Sequence, residues 1–239
     1  MSEHYIISQG AKLWSITEGE GVPVLLCLGG PGCSDYLGPV AELIKGVSRA
    51  IRYEQRGCGR SGRLPPYDID TELSDIEAVR EYNGVDRWIV GGHSWGANLA
   101  LAYAMAHQKN VLGLIYLSGP GLQHDIDWGA AREKSRQERG EKRPPESLEW
   151  DEEVKKQLSE SWYSFIKKPD LWKDISRLDI PALFVYGRQD IRPIWPVLQL
   201  ANIMPNARLE IMDGEHFMWL THADELGRIL RGFIKSIPQ

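Results

Sequence analysis

Arg87-Trp88-Ile89-Val90-Gly91-Gly92-His93-Ser94-Trp95-Gly96, continuing into the alanine-rich run from Ala97 to Ala106, is the stretch that decides the fold. An apolar run of strand character enters a Gly-x-Ser-x-Gly turn and leaves it as a run of helix character. Such a turn is tight enough to strain the backbone of its central residue, and the residues two before and two after it must lack bulk for strand and helix to pass. Gly92 and Gly96 meet that demand. The stretch therefore reads as a strand, a sharp turn that presents Ser94, and a helix.

Outward from this turn, short apolar runs alternate with amphipathic stretches, the pattern of an α/β protein with a mostly parallel central sheet flanked by helices. Strands are expected at 22–28, 49–54, 87–90, 111–118, 182–186 and 207–212, after an opening hairpin of 4–8 and 12–16. Helices are expected at 36–45, 71–82, 95–107, 194–203 and 224–236. In the last of these, Leu226, Ile229, Leu230, Phe233, Ile234 and Ile237 recur at three- and four-residue spacing and form one apolar face. The pattern breaks after the fourth parallel strand. Residues 132–160 carry seventeen charged residues, eight basic and nine acidic, around Pro144-Pro145, which excludes a strand. Trp150, Val154, Leu158, Trp162 and Phe165 follow near-helical spacing in the second half of that segment. The expected organisation is a core of residues 1–119 and 171–239 with a short helical cap, 120–170, inserted as a lid. Trp162 and Phe165 are its candidate substrate contacts.

With 239 residues, 42% of them hydrophobic, the chain suits one compact domain with a sizeable core. Net charge is −5, and basic residues are interleaved with acidic ones, so there is no electrostatic footprint for nucleic acid. Cys27, Cys33 and Cys58 are odd in number and have neither disulfide-framework nor zinc-site spacing. They are expected as reduced thiols of a cytoplasmic protein. The first residues lack a basic, then apolar, leader pattern, and the longest apolar stretch, 22–28, is far below spanning length. A membrane partner is not expected, nor is a metal or an organic cofactor.

A serine hydroxyl is a poor nucleophile at neutral pH and needs a base within hydrogen-bond reach, itself oriented by an acid. Downstream of Ser94, the strand 181–186 runs into Gly187-Arg188-Gln189-Asp190, and the strand 209–212 runs into Asp213-Gly214-Glu215-His216. Asp190 and His216 thus fall in loops at the carboxyl ends of successive strands, in the order nucleophile, acid, base used by α/β-hydrolase sites. Asp125 and Asp127 are rival acids after the fourth parallel strand. His93, beside Ser94, is expected to point away from it, and His107, His124 and His222 read as ordinary helix-end or loop residues. Two backbone donors for an oxyanion are expected: the N–H of Trp95, just after the nucleophile, and that of Gly30 in the loop Leu28-Gly29-Gly30-Pro31-Gly32. That loop matches neither glycine-rich nucleotide fingerprint.

Gly29-Gly30-Pro31-Gly32, Gln55-Arg56-Gly57-Cys58-Gly59-Arg60-Ser61, Gly92-His93-Ser94-Trp95-Gly96 and Gly187-Arg188-Gln189-Asp190 together resemble the motif series of the proline iminopeptidase branch of the α/β-hydrolase superfamily. The resemblance covers about 22–118 and again 180 to the C-terminus. It implies an α/β-hydrolase fold, a triad of Ser94, Asp190 and His216, an oxyanion hole at Gly30 and Trp95, and no cofactor. It also implies that Arg56 belongs to a scaffold turn, buried or paired. Three departures stand out: Leu28 replaces the usual histidine before Gly-Gly-Pro-Gly, Glu54 replaces the usual aspartate before Gln-Arg-Gly, and the cap is short. The Trp-x-x-Trp-Glu pattern of the amine-binding cap is absent, and neither Glu149, Glu153 nor Glu160 maps onto it. The expected chemistry is acyl transfer to water on a small molecule or short peptide. Aminopeptidase and carboxylesterase or lactonase are competing readings, and a non-catalytic ligand-binding protein of the same fold is the alternative of another class.

Overall fold

The computed structural model describes residues 1–123, 125–141 and 148–238, so His124 and the Pro144-Pro145 pair lie outside the described residues. One eight-stranded sheet organises the chain in the order β1-β2-β4-β3-β5-β6-β7-β8. Its strands are β1 (Ser2–Ser8), β2 (Ala11–Gly19), β3 (Val22–Cys27), β4 (Ser48–Tyr53), β5 (Trp88–His93), β6 (Val111–Leu117), β7 (Ala182–Gly187) and β8 (Ala207–Met212). The opening hairpin β1-β2 is antiparallel and joins β4 antiparallel, whereas β4, β3, β5, β6, β7 and β8 run parallel to one another. Parallel strands need crossovers, which is why helices intervene and why the central strands β5 and β7 are buried along their whole length.

The helices are α1 (Gly38–Ile44), α2 (Ile69–Tyr82), α3 (Trp95–Ala106), α4 (Ile126–Arg139), α5 (Glu152–Phe165), α6 (Leu171–Ser176), α7 (Trp195–Ile203) and α8 (Ala223–Ser236). Two apolar clusters fill the faces of the sheet. One gathers residues of α2, α3, α5 and α7, and the other those of α1 and α8. The apolar face expected for the last helix is the one it buries, through Leu226, Leu230, Phe233 and Ile234. Arg56 is buried and pairs with Asp75 of α2 at 2.7 Å, holding the 55–61 turn against the sheet. No helix among the described residues is long and apolar enough to cross a membrane.

The segment between β6 and β7 departs from expectation in two places. Helix α4, which buries only Trp128 and so has no periodic apolar face, precedes the aromatic-rich helix, and a short α6 that buries Leu171 and Ile175 follows it. Trp150 also lies outside α5: it forms an isolated bridge with Cys33 and is 42% exposed. The helix begins two residues later because Asp151 caps it, its carboxylate accepting from the Val154 N–H at 2.9 Å. The remaining apolar positions, Val154, Leu158 and Trp162, are buried and join the same cluster as α2 and α3.

Candidate active site

Ser94 sits where β5 becomes α3, with φ 58 and ψ −127, a left-handed conformation that costs an L-residue of this size on the order of 1–3 kcal/mol. The strain is held by close packing. A Cβ at position 92 would overlap the Gly96 carbonyl, and one at position 96 would overlap the carbonyls of Cys27 and Leu28 where β3 ends. The Ser94 N–H is anchored on the Leu117 carbonyl at 2.9 Å. Ser94 is thereby fixed at the head of the helix, half-buried, on the wall of a cavity of about 640 Å³.

The loops that carry Asp190 and His216 are brought together by a second close approach. A Cβ on Gly187 would strike the carbonyls of Gly214 and Glu215, so the turns after β7 and β8 lie against each other. His216 Nδ1–H donates to Asp190 Oδ2 at 2.6 Å with both side chains buried, which leaves Nε2 as the basic nitrogen. Burial alone would raise the Asp190 carboxyl, but the His216 imidazole and the Arg192 guanidinium hold it well below the usual carboxylate range. Burial and the Arg192 charge lower the His216 imidazole below its ordinary value, against the opposing pull of Asp190. Asp190 Oδ1 in turn accepts from the Arg192 N–H and from its guanidinium, both at 3.0 Å, and Arg192 reaches on to Glu141 at 2.6 Å. Asp125, the rival acid, instead caps α4 by accepting from the Trp128 N–H at 2.9 Å, and Asp127 lies exposed in the first turn of that helix.

Ser94 and His216 line the same cavity, although no hydrogen bond joins them among the described residues. Such pairs commonly tighten only with substrate in place. Gly30 and Trp95 line the same cavity as Ser94: Trp95 opens α3, where N–H groups have no intrahelical acceptor, and Gly30 has φ +120. The neighbouring Gly29 packs its α-carbon against the serine turn, and its N–H is taken by the Tyr36 hydroxyl at 2.9 Å.

His93, expected to point away from Ser94, turns its ring to Tyr36 and the His216 backbone and ties the site together. Burial, then the adjacent His216, keeps its imidazole neutral, with its pKa well below the ordinary value. Its Nε2 faces a carbonyl, that of His216, at 3.0 Å, so Nε2 carries the proton and Nδ1 accepts from the Tyr36 hydroxyl at 2.7 Å. The bonds therefore run in one direction, from Gly29 N–H through Tyr36 and His93 to the backbone of His216. The Gly29-Gly30 loop and the His216 loop are linked through the residue beside Ser94. A histidine at the variable position of Gly-x-Ser-x-Gly is the only signal of this in the sequence.

The segment after β6 forms the opposite wall. Gly32 to Ser34 pairs with Glu149 to Asp151 through Asp151 N–H to Gly32 O at 2.8 Å and Ser34 N–H to Glu149 O at 3.1 Å. Trp128 and Arg132 of α4, then Trp150, Lys155, Trp162 and Tyr163, line the cavity from this side. Trp162 is among them as expected, but Phe165 is not. One helical turn on, Phe165 stacks on Trp162 at 5.2 Å and packs half-buried against the core, so the helix phase carries it off the cavity wall. Trp150, Tyr163 and Arg192 take lining positions that spacing did not predict. Among the described residues no cluster of three metal-ligating side chains occurs.

A strained serine at the turn from β5 into α3, with a paired aspartate and histidine in the loops after β7 and β8 of a mostly parallel sheet, is the arrangement of the α/β-hydrolase fold, and this chain has that fold. The alpha/beta hydrolase fold family matches residues 22–139. Over part of its length the chain is proline iminopeptidase-like: it is 40% identical over 105 residues to the proline iminopeptidase of Neisseria gonorrhoeae, covering 40% of this chain and 32% of that protein. The proline iminopeptidase of Saccharolobus solfataricus is 43% identical over 113 residues, covering 45% of this chain and 36% of that protein. The match thus spans about a third of the length of these relatives. Among solved structures, a proline iminopeptidase from Mycobacterium smegmatis superposes with TM-score 0.75 at 17% identity, covering 98% of each chain. An esterase from Exiguobacterium antarcticum superposes with TM-score 0.74 at 20% identity, covering 97% of this chain and 99% of that one. At such identities the superpositions speak to fold alone.

Proposed function

We propose that the protein is a serine hydrolase that transfers an acyl group to water through Ser94, His216 and Asp190. The observation that carries this reading is the 2.6 Å Asp190–His216 pair beside a serine held at φ 58, because stored backbone strain at a cavity wall has no structural use of its own. Ser94 Oγ attacks the acyl carbon while His216 Nε2 takes the hydroxyl proton, and Asp190 stabilises the imidazolium. The N–H groups of Gly30 and Trp95 hold the oxyanion. His216 then protonates the leaving group, which departs to leave an ester on Ser94. Water attacks that ester, its proton passes to His216, and the acid leaves as Ser94 recovers its hydrogen. Residues 120–170 act as the cap that shields this reaction from solvent, with Trp162 as a substrate contact. Three buried free thiols fit a reducing, cytoplasmic setting.

The relatives favour an aminopeptidase acting on N-terminal proline. A carboxylesterase or lactonase is the second reading, favoured by the state of the two glutamates that line the cavity among the described residues: Glu141 is bound to Arg192, and Glu152 is exposed and bound to Lys155 at 3.1 Å. A substrate ammonium group would have to displace a resident cation from either, at the cost of desolvation. Turnover of prolyl and alanyl arylamides against short aryl esters and lactones, by wild type and Ser94→Ala, tests both levels. Loss of all turnover in Ser94→Ala supports the mechanism, and full turnover in that variant refutes it. Strong prolyl arylamide cleavage with negligible ester hydrolysis assigns the aminopeptidase.

A further inference from the structure

Among the described residues, five charged side chains face the cavity: Arg132, Glu141, Glu152, Lys155 and Arg192. Four of them are mutually satisfied. Arg192 bridges Asp190 and Glu141 at 3.0 and 2.6 Å, and Lys155 pairs with Glu152. Arg132 differs. Half-buried on α4, it has no carboxylate within 4.0 Å among the described residues, and its Nε is buried without a hydrogen-bond partner. Its guanidinium lies 5.8 Å from the Trp128 ring, a contact that orients it without neutralising it. Desolvation and the nearby Arg192 both disfavour its charge, yet an arginine in a protein does not give up its proton. A partly desolvated, permanent cation on a substrate-sized cavity wall is offset when an anion enters the cavity, and a guanidinium matches a carboxylate bidentately.

We propose that Arg132 forms a carboxylate subsite, so that the favoured substrates carry a free carboxylate in addition to the acyl bond that Ser94 attacks. The proposal rests on the serine hydrolase reading and narrows its substrate class. It disfavours substrates whose only charge near α4 is an ammonium group, and it fits either an acyl chain ending in a carboxylate or a short peptide whose C-terminus is the leaving side.

The test compares kcat/KM for matched substrates. An aryl hemisuccinate is set against the aryl butyrate for the acyl side, and prolyl-glycine against prolyl-glycinamide for the leaving side. In wild type the carboxylate-bearing member of at least one pair is preferred, and Arg132→Gln lowers that preference at least about tenfold, the size of one charge-assisted contact. Arg132→Lys, which keeps the charge and loses the planar fork, restores part of it. A preference unchanged within twofold in both pairs overturns the proposal. A second readout is independent of turnover: calorimetric titration of glutarate into Ser94→Ala, with and without Arg132→Gln. Binding at least tenfold weaker in the double variant supports the subsite, whereas equal binding or none in Ser94→Ala overturns it. Should the hydrolase reading itself fail, wild-type Ser94 takes no fluorophosphonate label and no substrate turns over, while the glutarate titration still decides for or against the carboxylate subsite.

Discussion

The serine turn and the segment between β6 and β7 face each other across one cavity and are built by opposite means. At the turn, Gly92 and Gly96 each sit where a single Cβ would strike neighbouring backbone, so position, backbone angle and side-chain direction are fixed together. Across the cavity, α4 buries one residue, Trp128, and α5 buries Val154, Leu158 and Trp162, while their other faces carry charges in solvent-exposed i,i+3 pairs. Exposed pairs of that kind contribute little. The proposed mechanism puts the chemistry where the backbone leaves no choice, and the selection of substrate where a few side chains hang on a less constrained wall.

Substitutions that sharpen this contrast differ in scale. Asp190→Asn has the largest effect: by removing the acceptor of His216 Nδ1–H it lowers kcat on the order of 10⁴-fold in steady-state assays. Because Asp190 also holds Arg192, melting temperature falls in the same variant. A loss under tenfold would move the acid elsewhere. Gly96→Val forces side-chain carbons into the Cys27 and Leu28 carbonyls, so destabilisation of about 4 kcal/mol or more is expected, a fall in melting temperature of roughly 10 °C by calorimetry. Wild-type stability in that variant would break the claim that the turn is packed without slack. His93→Phe keeps the ring volume and cuts the chain from Tyr36 to the His216 carbonyl. It is expected to lower kcat about tenfold with KM little changed, a split that a purely packing role would not give. On the far wall, Glu160→Ala on the exposed face of α5 changes stability by less than about 0.5 kcal/mol. A larger change would mean that the cap is as tightly determined as the core.

The same contrast explains what the sequence made legible. The parallel strands and the last helix bury continuous or periodic apolar sets, and the serine turn leaves glycines at fixed offsets, so both could be read from residue types alone. Helix α5 was legible through Val154, Leu158 and Trp162, because it packs on the core. Helix α4 was not, since a helix that lines a cavity has almost no apolar face to repeat. Its signals are local: Asp125 as N-cap, Ala130-Ala131, the Glu133–Arg136 pair, and Gly140 as C-cap with φ 71. Asp190 and His216 were legible by order after Ser94. Arg192 and His93 were not, because their roles come from pairings across 51 and 123 positions of chain.

The most direct test of the account is the rate at which a fluorophosphonate modifies the wild-type protein, followed across pH with the adduct mapped by peptide mass spectrometry. Burial and Arg192 lower the His216 pKa, and only neutral imidazole can accept the serine proton. The account therefore predicts a single adduct on Ser94 whose rate rises with pH along a limb centred below the ordinary histidine value of about 6.5, and whose rate collapses in His216→Ala. An adduct on another residue, or a Ser94 adduct that forms at an undiminished rate in His216→Ala, would contradict it.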